Sequence, residues 1–217
     1  YHKFKYFIEN GADEIALLFD DLPNNFKETY NLSVSEGYAH ALLANKISLE
    51  LKKFIFVVPR IYSDQLIHED KNYLSDFKKE INKDIICFYS GKNIVSKSIN
   101  SKTLHKTSNI LSSNFVIWDN FYSNDYCPRR IFLGPYYGRT KIQNIMINPT
   151  GLIETDLLLL DIVKATKNSL RPYEDWKKIL DKHRVPSQFL DVCNHFLKPD
   201  FGDNPVLNKI SISKKFL

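Results

Sequence analysis

Short apolar runs recur along the chain at intervals that fit strand–helix units. Each run is four to six residues long and rich in Ile, Val, Phe or Leu, and the runs start 27 to 40 residues apart. Such runs favour buried parallel strands, and the spacing leaves room for a crossover helix between neighbours. The predicted strands are Glu14–Phe19, Phe54–Val58, Ile85–Tyr89, Phe115–Trp118 and Ile142–Ile147.

Helical patterns fill the gaps between these runs. Ser35 can cap a helix that runs to about Lys52, and steps of four predict an inward face of Ala39, Leu43, Ile47 and Leu51. Further helices are predicted at His68–Asn82 (with Leu74, Phe77 and Ile81 inward), Lys102–Leu111, Leu152–Lys167, Pro172–His183 and Gln188–Leu197. The sequence therefore predicts an α/β fold with a parallel sheet, followed by helices.

Polar or ionisable side chains follow every predicted strand. Each alone is typical of a turn or a helix cap, but in parallel α/β folds this end of the sheet binds ligands. Two aromatic rings among the polar groups predict a sugar-sized ligand with one apolar face. The strand-end residues are Asp20, Asp21, Arg60, Tyr62, Ser90, Trp118, Asp119, Asn120, Asp125 and Asn148.

The sharpest feature is the stretch "IALLFDDLP" at 15–23, where a run predicted to be buried on both faces ends in Asp20 and Asp21. Both carboxylates can face one pocket only if the chain turns there, as Leu22 and Pro23 indicate. Two close carboxylates resist ionising together, so their pKa values separate. That division between a charged and a protonated carboxyl is the one glycosidases use.

Other chemistry finds little support. The net charge is +5, but the basic residues form no stripe interleaved with aromatics, so no nucleic-acid surface is predicted. Three scattered cysteines and six histidines lack ligand spacing, and His40, His68 and His105 are interpreted as surface or helix-packing residues. No metal, cofactor, membrane span or signal peptide is predicted. Because the chain starts at Tyr1, we expect the natural N-terminus, and any localisation signal, to be missing.

A series of motifs resembles glycoside hydrolase family 84, the β-N-acetylglucosaminidases that include the enzymes removing O-GlcNAc from proteins. The series covers roughly residues 5–150 in the family's order, and its "WDN…ND…LGPY.GR…NP" part is specific. The matching pieces are "ALLFDD" at 16–21, "AHALLANKI" at 39–47, "PRIY" at 59–62, "SGKNIVSKSI" at 90–99, "WDNFYSND" at 118–125, "FLGPYYGR" at 132–139 and "NPT" at 148–150.

The resemblance implies a (β/α)8 TIM barrel, of which residues 1–150 would supply about strands four to eight. Residues 151–217 would supply the last barrel helix and the start of a helical region. The first three units, which carry a Gly and a Lys of the family's sugar pocket, are absent. We therefore expect the first strand to have an open edge, and the isolated chain to be inactive or poorly folded.

The resemblance also implies a role for each site residue. Asp20 would orient and polarise the substrate's acetamido N–H, and Asp21 would act as general acid and then general base. The substrate-binding residues would be Tyr62 near the reacting centre, Ser90 in the acetamide pocket with Ile94, Trp118 as an apolar wall, Asn120 at the acetamide, and Asp125 and Asn148 at the distal hydroxyls. Arg60 and Ile61 depart from the family's Cys-Pro-Thr-Glu pattern, which predicts an effect on the accepted leaving group.

The sequence thus predicts a retaining exo-β-N-acetylglucosaminidase that uses substrate-assisted catalysis on terminal GlcNAc of glycans or O-GlcNAc proteins. A non-catalytic carbohydrate-binding relative, or an inactive fragment of such an enzyme, is the alternative. A structural or nucleic-acid module is a third reading, but it explains none of the strand-end residues.

Overall fold

The computed structural model describes residues 1–199, apart from 24, 26, 27, 30–32, 112, 113, 128, 129, 140 and 141. Residues 200–217 of the predicted helical region therefore lie outside the described residues. The strands are β1 (Ala16–Leu18), β2 (Phe56–Val58), β3 (Ile86–Tyr89), β4 (Phe115–Asp119) and β5 (Ile145–Ile147). They form one sheet in the order β1-β2-β3-β4-β5.

The pairings β1–β2, β2–β3 and β3–β4 are parallel, which confirms the predicted sheet. The register sets Leu18 opposite Val58, and Tyr89 opposite Ile117. The first run is not buried on both faces as predicted, because Leu18 is 58% exposed. The physical reason is position: β1 is an outer strand of the sheet, and only the flanking Ile15 and Phe19 are buried.

Helices connect and follow the strands. They are α1 (His2–Glu9), α2 (Glu36–Leu51), α3 (Tyr73–Glu80), α4 (Ser101–Ile110), α5 (Ile153–Thr166), α6 (Pro172–Lys182) and α7 (Phe189–Val192), with 3₁₀ turns at Asp64–Leu66 and Cys193–His195. The Ser35 side chain accepts a hydrogen bond from the Tyr38 N–H, which confirms the predicted cap. Helix α3 is shorter than predicted, but Leu74, Phe77 and Ile81 are buried as expected.

The predicted inward face of α2 is partly wrong, although Ile47 belongs to the apolar core and Leu51 packs against it. Leu43 is 45% exposed, and among the predicted residues only Ile47 is buried. The helix instead buries a stripe of small and polar residues, namely Glu36, Gly37, His40, Ala41, Ala44 and Ile47. Small residues let α2 approach α3 closely: a Cβ on Gly37 would lie 2.1 Å from the backbone oxygen of Tyr73. The polar members find buried partners there, as described below.

The chain divides into two compact units. Unit 1 comprises 1–94, 101–118 and 142–146, and unit 2 comprises 95–100, 119–141 and 147–217. Unit 1 has an apolar core under the sheet that includes Phe19, Val57, Ile61, Tyr73 and Phe77. Unit 2 contains α5 and α6, and its buried Trp176 donates a hydrogen bond to the backbone oxygen of Leu133 (2.6 Å). Within the described ranges, no helix is long and apolar enough to cross a bilayer.

Candidate active site

The two adjacent aspartates lie in a tight turn directly after β1. The backbone N–H of Leu22 donates to the carbonyl of Phe19 (3.2 Å), so Asp20 and Asp21 are the two central residues of that turn. Phe19 is buried and its N–H donates to the carbonyl of Val58 (2.9 Å), which extends the β1–β2 ladder to the start of the turn. The predicted turn is therefore present, with Asp20 partly buried and Asp21 exposed.

The environment of Asp20 raises the pKa of its carboxyl group. Burial raises the pKa of Asp20 above its ordinary value, a hydrogen bond from its own backbone N–H opposes that rise, and the charge of Asp21 adds to it. Desolvation and a like charge are two of the influences that create a proton-holding carboxyl. The raised pKa therefore belongs to Asp20, the carboxyl group that the family resemblance assigns to the acetamide, whereas the resemblance assigns proton transfer to its neighbour Asp21.

Tyr62 and Trp118 form an aromatic pair in unit 1. Their ring centroids are 5.9 Å apart with an interplanar angle of 42°, and Trp118 also lies 6.1 Å from the ring of Phe88. The backbone N–H of Ser90 donates to the carbonyl of Tyr62 (2.7 Å), which joins the loops after β2 and β3. Ser90 is buried, whereas both rings of the Tyr62–Trp118 pair are partly exposed. The pair can therefore offer an apolar surface to a ligand.

The other three predicted residues belong to unit 2 and share one hydrogen-bond network. The Asn148 side-chain amide donates to Asn120 Oδ1 (3.1 Å) and to Ser123 Oγ (3.4 Å). Ser123 in turn donates to a carboxylate oxygen of Asp125, which also accepts the Tyr126 backbone N–H (3.0 Å). These contacts fix the loop after β4 against the residue that follows β5. Amide and carboxylate groups fixed in this way are suited to binding hydroxyl groups.

A buried charge cluster supports that loop, and of its members only Asp119 was predicted, as one of the strand-end residues. Asp119 accepts Arg139 Nε (2.6 Å) and Arg139 Nη2 (3.0 Å), together with the Tyr136 hydroxyl (2.6 Å) and the Phe121 N–H (3.1 Å). Arg139 is completely buried, and its guanidinium lies 4.5 Å from the centroid of the Phe121 ring. Two features of the sequence could have indicated this pair. Asp119 ends an apolar strand, and Arg139 belongs to the same motif series. Asp119 therefore has a structural role, because it holds the backbone next to Asn120.

The predicted effect of Arg60 and Ile61 on the accepted leaving group stays a prediction, but neither side chain lies at the surface of the site. Both side chains are buried within unit 1, at 2% and 0% exposure. Arg60 Nε donates to Glu36 Oε1 (2.7 Å) and Nη1 donates to Glu69 Oε2 (2.7 Å). Because two carboxylates neutralise the guanidinium inside the unit, any effect of Arg60 on a ligand must be transmitted through the backbone of its loop.

The structure therefore gathers the predicted residues into two groups. Unit 1 carries the Asp20–Asp21 turn and the cluster of Tyr62, Ser90 and Trp118, and unit 2 carries the network of Asn120, Asp125 and Asn148. In the part of the chain that the structure describes, no group of three or more His, Cys, Asp or Glu side chains is arranged to hold a metal ion.

Comparison with known families identifies the chain's relationship. A family model described as beta-N-acetylglucosaminidase matches residues 1–177, which is most of the sequence. The chain belongs to the β-N-acetylglucosaminidase family. The match includes the aspartate turn, the aromatic pair and the amide network, so every predicted site residue lies inside the family region.

Two individual proteins are similar to this chain in sequence over part of their length. The chain is 28% identical over 180 residues to the Protein O-GlcNAcase of Mus musculus and, equally, to that of Rattus norvegicus. Each alignment covers 74% of this chain and 19% of the relative, so the chain spans about a fifth of the length of these relatives.

Two solved structures have a fold similar to that of this chain. CpGH84B superposes with a TM-score of 0.72 at 20% identity, over 94% of this chain and 38% of that one. A mutant of the Thermobaculum terrenum O-GlcNAc hydrolase gives 0.71 at 21% identity, over 89% and 44%.

Proposed function

We propose that the protein is a retaining exo-β-N-acetylglucosaminidase that removes terminal GlcNAc from glycans or from O-GlcNAc proteins. The observation that carries this proposal is the turn after β1, which presents two adjacent carboxyl groups at the end of a parallel strand in a chain of this family. The partly exposed ring pair of Tyr62 and Trp118 adds the apolar surface that a sugar face requires.

The reaction we propose proceeds in two steps. In the first, the substrate's acetamido oxygen attacks the anomeric carbon, the glycosidic C–O bond breaks, and Asp21 gives its proton to the departing oxygen. Asp20 accepts a hydrogen bond from the acetamido N–H and stabilises the charge on the oxazoline. In the second, water attacks the anomeric carbon as the oxazoline C–O bond breaks, and Asp21 takes the water's proton. Two inversions at one carbon give net retention.

The remaining residues bind the sugar in this proposal. Trp118 supplies an apolar wall and Tyr62 a hydrogen bond near the reacting centre, while Ser90 lines the acetamide pocket. Asn120 holds the acetamide, and Asp125 and Asn148 bind the distal hydroxyls. The hydrogen bond between Asn148 and Asn120 supports a shared role, because each fixes the orientation of the other's amide.

We also propose that β1–β5 correspond to strands four to eight of a (β/α)8 barrel, with residues 1–150 in the barrel and 151–217 starting a helical region. The strand order β1-β2-β3-β4-β5 with parallel pairings supports this assignment. So does exposure at the two outer strands, where Leu18 is 58% and Met146 is 47% exposed. A sheet that closes on itself would cover both of these strands.

The test compares two variants of the protein as it is naturally encoded, on aryl GlcNAc substrates. Asp21→Ala should retain kcat/KM on a good leaving group and lose about 10²–10⁴-fold in kcat/KM on a poor one, since kcat/KM reports the first step, in which only the poor leaving group needs a proton. Asp20→Ala should lose activity on both substrates. Asp84→Ala, an exposed carboxylate before β3, is the matched control and should behave as wild type.

Equal losses for Asp20→Ala and Asp21→Ala on both substrates would contradict the assigned roles. Calorimetry with an oxazoline-mimicking inhibitor separates the enzyme from a non-catalytic sugar-binding relative. An enzyme binds the mimic at least about 10²-fold more tightly than free GlcNAc, because the site of an enzyme is complementary to the transition state. Similar affinities for the mimic and the free sugar would favour the binding protein.

A further inference from the structure

A buried series of contacts joins the aspartate turn to the loop that carries Tyr62. The ring of Phe19 stacks on the imidazole of His40, with centroids 4.0 Å apart and planes within 2°. His40 Nδ1 lies 2.9 Å from the Tyr73 hydroxyl, which also accepts the backbone N–H of Arg60 at 2.9 Å. All four residues are at most 4% exposed. The series therefore runs through buried residues in direct contact, from the residue before Asp20 to a residue two positions before Tyr62.

The proton positions in this series follow from its partners. Because the Tyr73 oxygen accepts the Arg60 N–H, its own proton is available for His40 Nδ1. With the hydroxyl donating to Nδ1, a neutral His40 carries its proton on Nε2, which faces Glu36 Oε1 at 4.0 Å. Burial, and secondarily the charge of Arg60, lower the pKa of His40 to about 4, so the ring is neutral near pH 7 as this arrangement requires. This assignment gives the Tyr73 hydroxyl both an acceptor, His40 Nδ1, and a donor, the Arg60 N–H.

Packing holds the Tyr73 ring in place from both sides. The ring stacks on Phe77 (6.0 Å, 12°), and the Arg60 guanidinium lies 5.5 Å from its centroid. The absent side chain of Gly37 allows α2 and the first turn of α3 to touch. A hydroxyl fixed by such packing can fix other groups in turn, because its position is not free to adjust.

We propose that His40 and Tyr73 are positioning residues, which hold the Asp20–Asp21 turn and the Tyr62 loop in one fixed relation. The inference rests on the proposed glycosidase function, since it concerns the same carboxylates. Neither residue touches substrate in this proposal. The stack sets the place of Phe19, whose carbonyl closes the turn, and the hydroxyl sets the backbone that leads to Tyr62. Misplacing reacting groups by about 1 Å costs up to about 10²-fold in rate.

The test is Tyr73→Phe, which removes one oxygen and leaves the ring packing intact. Its matched control is Asn45→Ala, which removes two hydrogen bonds between α2 and the end of α3 (to Glu80 O and Asn82 N, 2.9 and 2.8 Å) away from both loops. Tyr73→Phe loses buried hydrogen bonds to His40 of α2 and to the Arg60 N–H, whereas Asn45→Ala loses one partly buried and one exposed hydrogen bond. On aryl GlcNAc we expect Tyr73→Phe to lower kcat about tenfold or more with KM changed less than about threefold. Asn45→Ala should leave kcat unchanged.

Hydrogen exchange supplies a readout that needs no turnover. In Tyr73→Phe, amides in residues 15–23 and 59–66 should both exchange faster, and in Asn45→Ala neither should. His40→Phe, which retains an aromatic ring against Phe19, should protect 15–23 better than His40→Ala does. If Tyr73→Phe matches Asn45→Ala in kcat and in exchange at both loops, the positioning role is wrong. If the wild type lacks turnover while the exchange pattern holds, the proposed function fails and the structural link stands.

Discussion

Replacing Asp119 with Asn should be among the most damaging single-atom changes to the stability of unit 2. The carboxylate accepts four hydrogen bonds, two on each oxygen, and both Asp119 and Arg139 have fully buried side chains. An Asn amide has only one oxygen, so two of the four donors lose their acceptor and meet an N–H group instead. The Arg139 charge stays buried, because it also donates to the carbonyls of Ser96, Lys97 and Tyr137.

The magnitude follows from the burial of this pair. Breaking a fully buried ion pair by neutralising one partner costs about 3–5 kcal/mol. With a urea dependence of about 3 kcal/mol/M for a domain of this size, Asp119→Asn should lower the urea midpoint by about 1–2 M. Circular dichroism during urea titration of the natural protein measures this shift. The double variant Asp119→Asn/Arg139→Met should lose less than the sum of the single losses, since it leaves no unpaired charge.

The control is an exposed ion pair in the same unit. Arg171 and Glu174 lie 3.4 Å apart with side chains 76% and 62% exposed, so water and salt already screen their attraction. Glu174→Gln should therefore leave the midpoint unchanged. If Asp119→Asn shifts the midpoint no further than Glu174→Gln does, the carboxylate is not what neutralises Arg139, and the role assigned to this cluster is refuted.

Two further predictions concern unit 1. Because the pKa of His40 is about 4 in the fold and 6.5 ordinarily, the unfolded chain binds the extra proton, so the free energy of unfolding should fall by up to about 3 kcal/mol from pH 6.5 to 4. In His40→Phe this slope should flatten in urea titrations across that range; an unchanged slope would exclude His40 as its origin. Gly37→Ala should cost about 1–3 kcal/mol by thermal unfolding, since its Cβ would meet Tyr73 O at 2.1 Å. Ala39→Ser, on the same helix, serves as its control. If Gly37→Ala and Ala39→Ser have equal melting temperatures, α3 moves away from α2 at little cost and the reasoning is wrong.

The strands were predictable from the sequence because parallel strands need continuous apolar runs. Each run contains the strand that the structure has, except that β4 extends one residue further, to Asp119. The burial of the outer strands was not predictable, because a run such as Glu14–Phe19 has the same composition whether it lies at the edge of a sheet or at its centre. The inward face of α2 was mispredicted for a related reason. Hydrophobicity favoured Leu43, whereas the packing selected Gly37 and Ala41, whose small size permits close approach.

The strand-end residues were predictable in kind but not in their contacts. Position after an apolar run identified Asp20, Trp118 and Asn148, yet nothing in the spacing distinguishes a side chain that faces solvent from one that pairs inside. Arg60 shows this best: its place in the loop after β2 predicted a contact with ligand, and its two carboxylate partners come from Glu36 and Glu69, 24 and 9 residues away. Such pairs arise from tertiary packing, which local patterns do not record.

Phe19 belongs to the apolar core of unit 1 and is also the residue immediately before Asp20. Redesign of that interior is therefore coupled to the geometry of the candidate site, because a substitution chosen to fill space near this ring would also act on the backbone from which the carboxylates project. Engineering for heat resistance would do better at exposed positions, such as Leu49 and Leu170, which are 78% and 100% exposed. In this protein the interior and the candidate site have to be treated together.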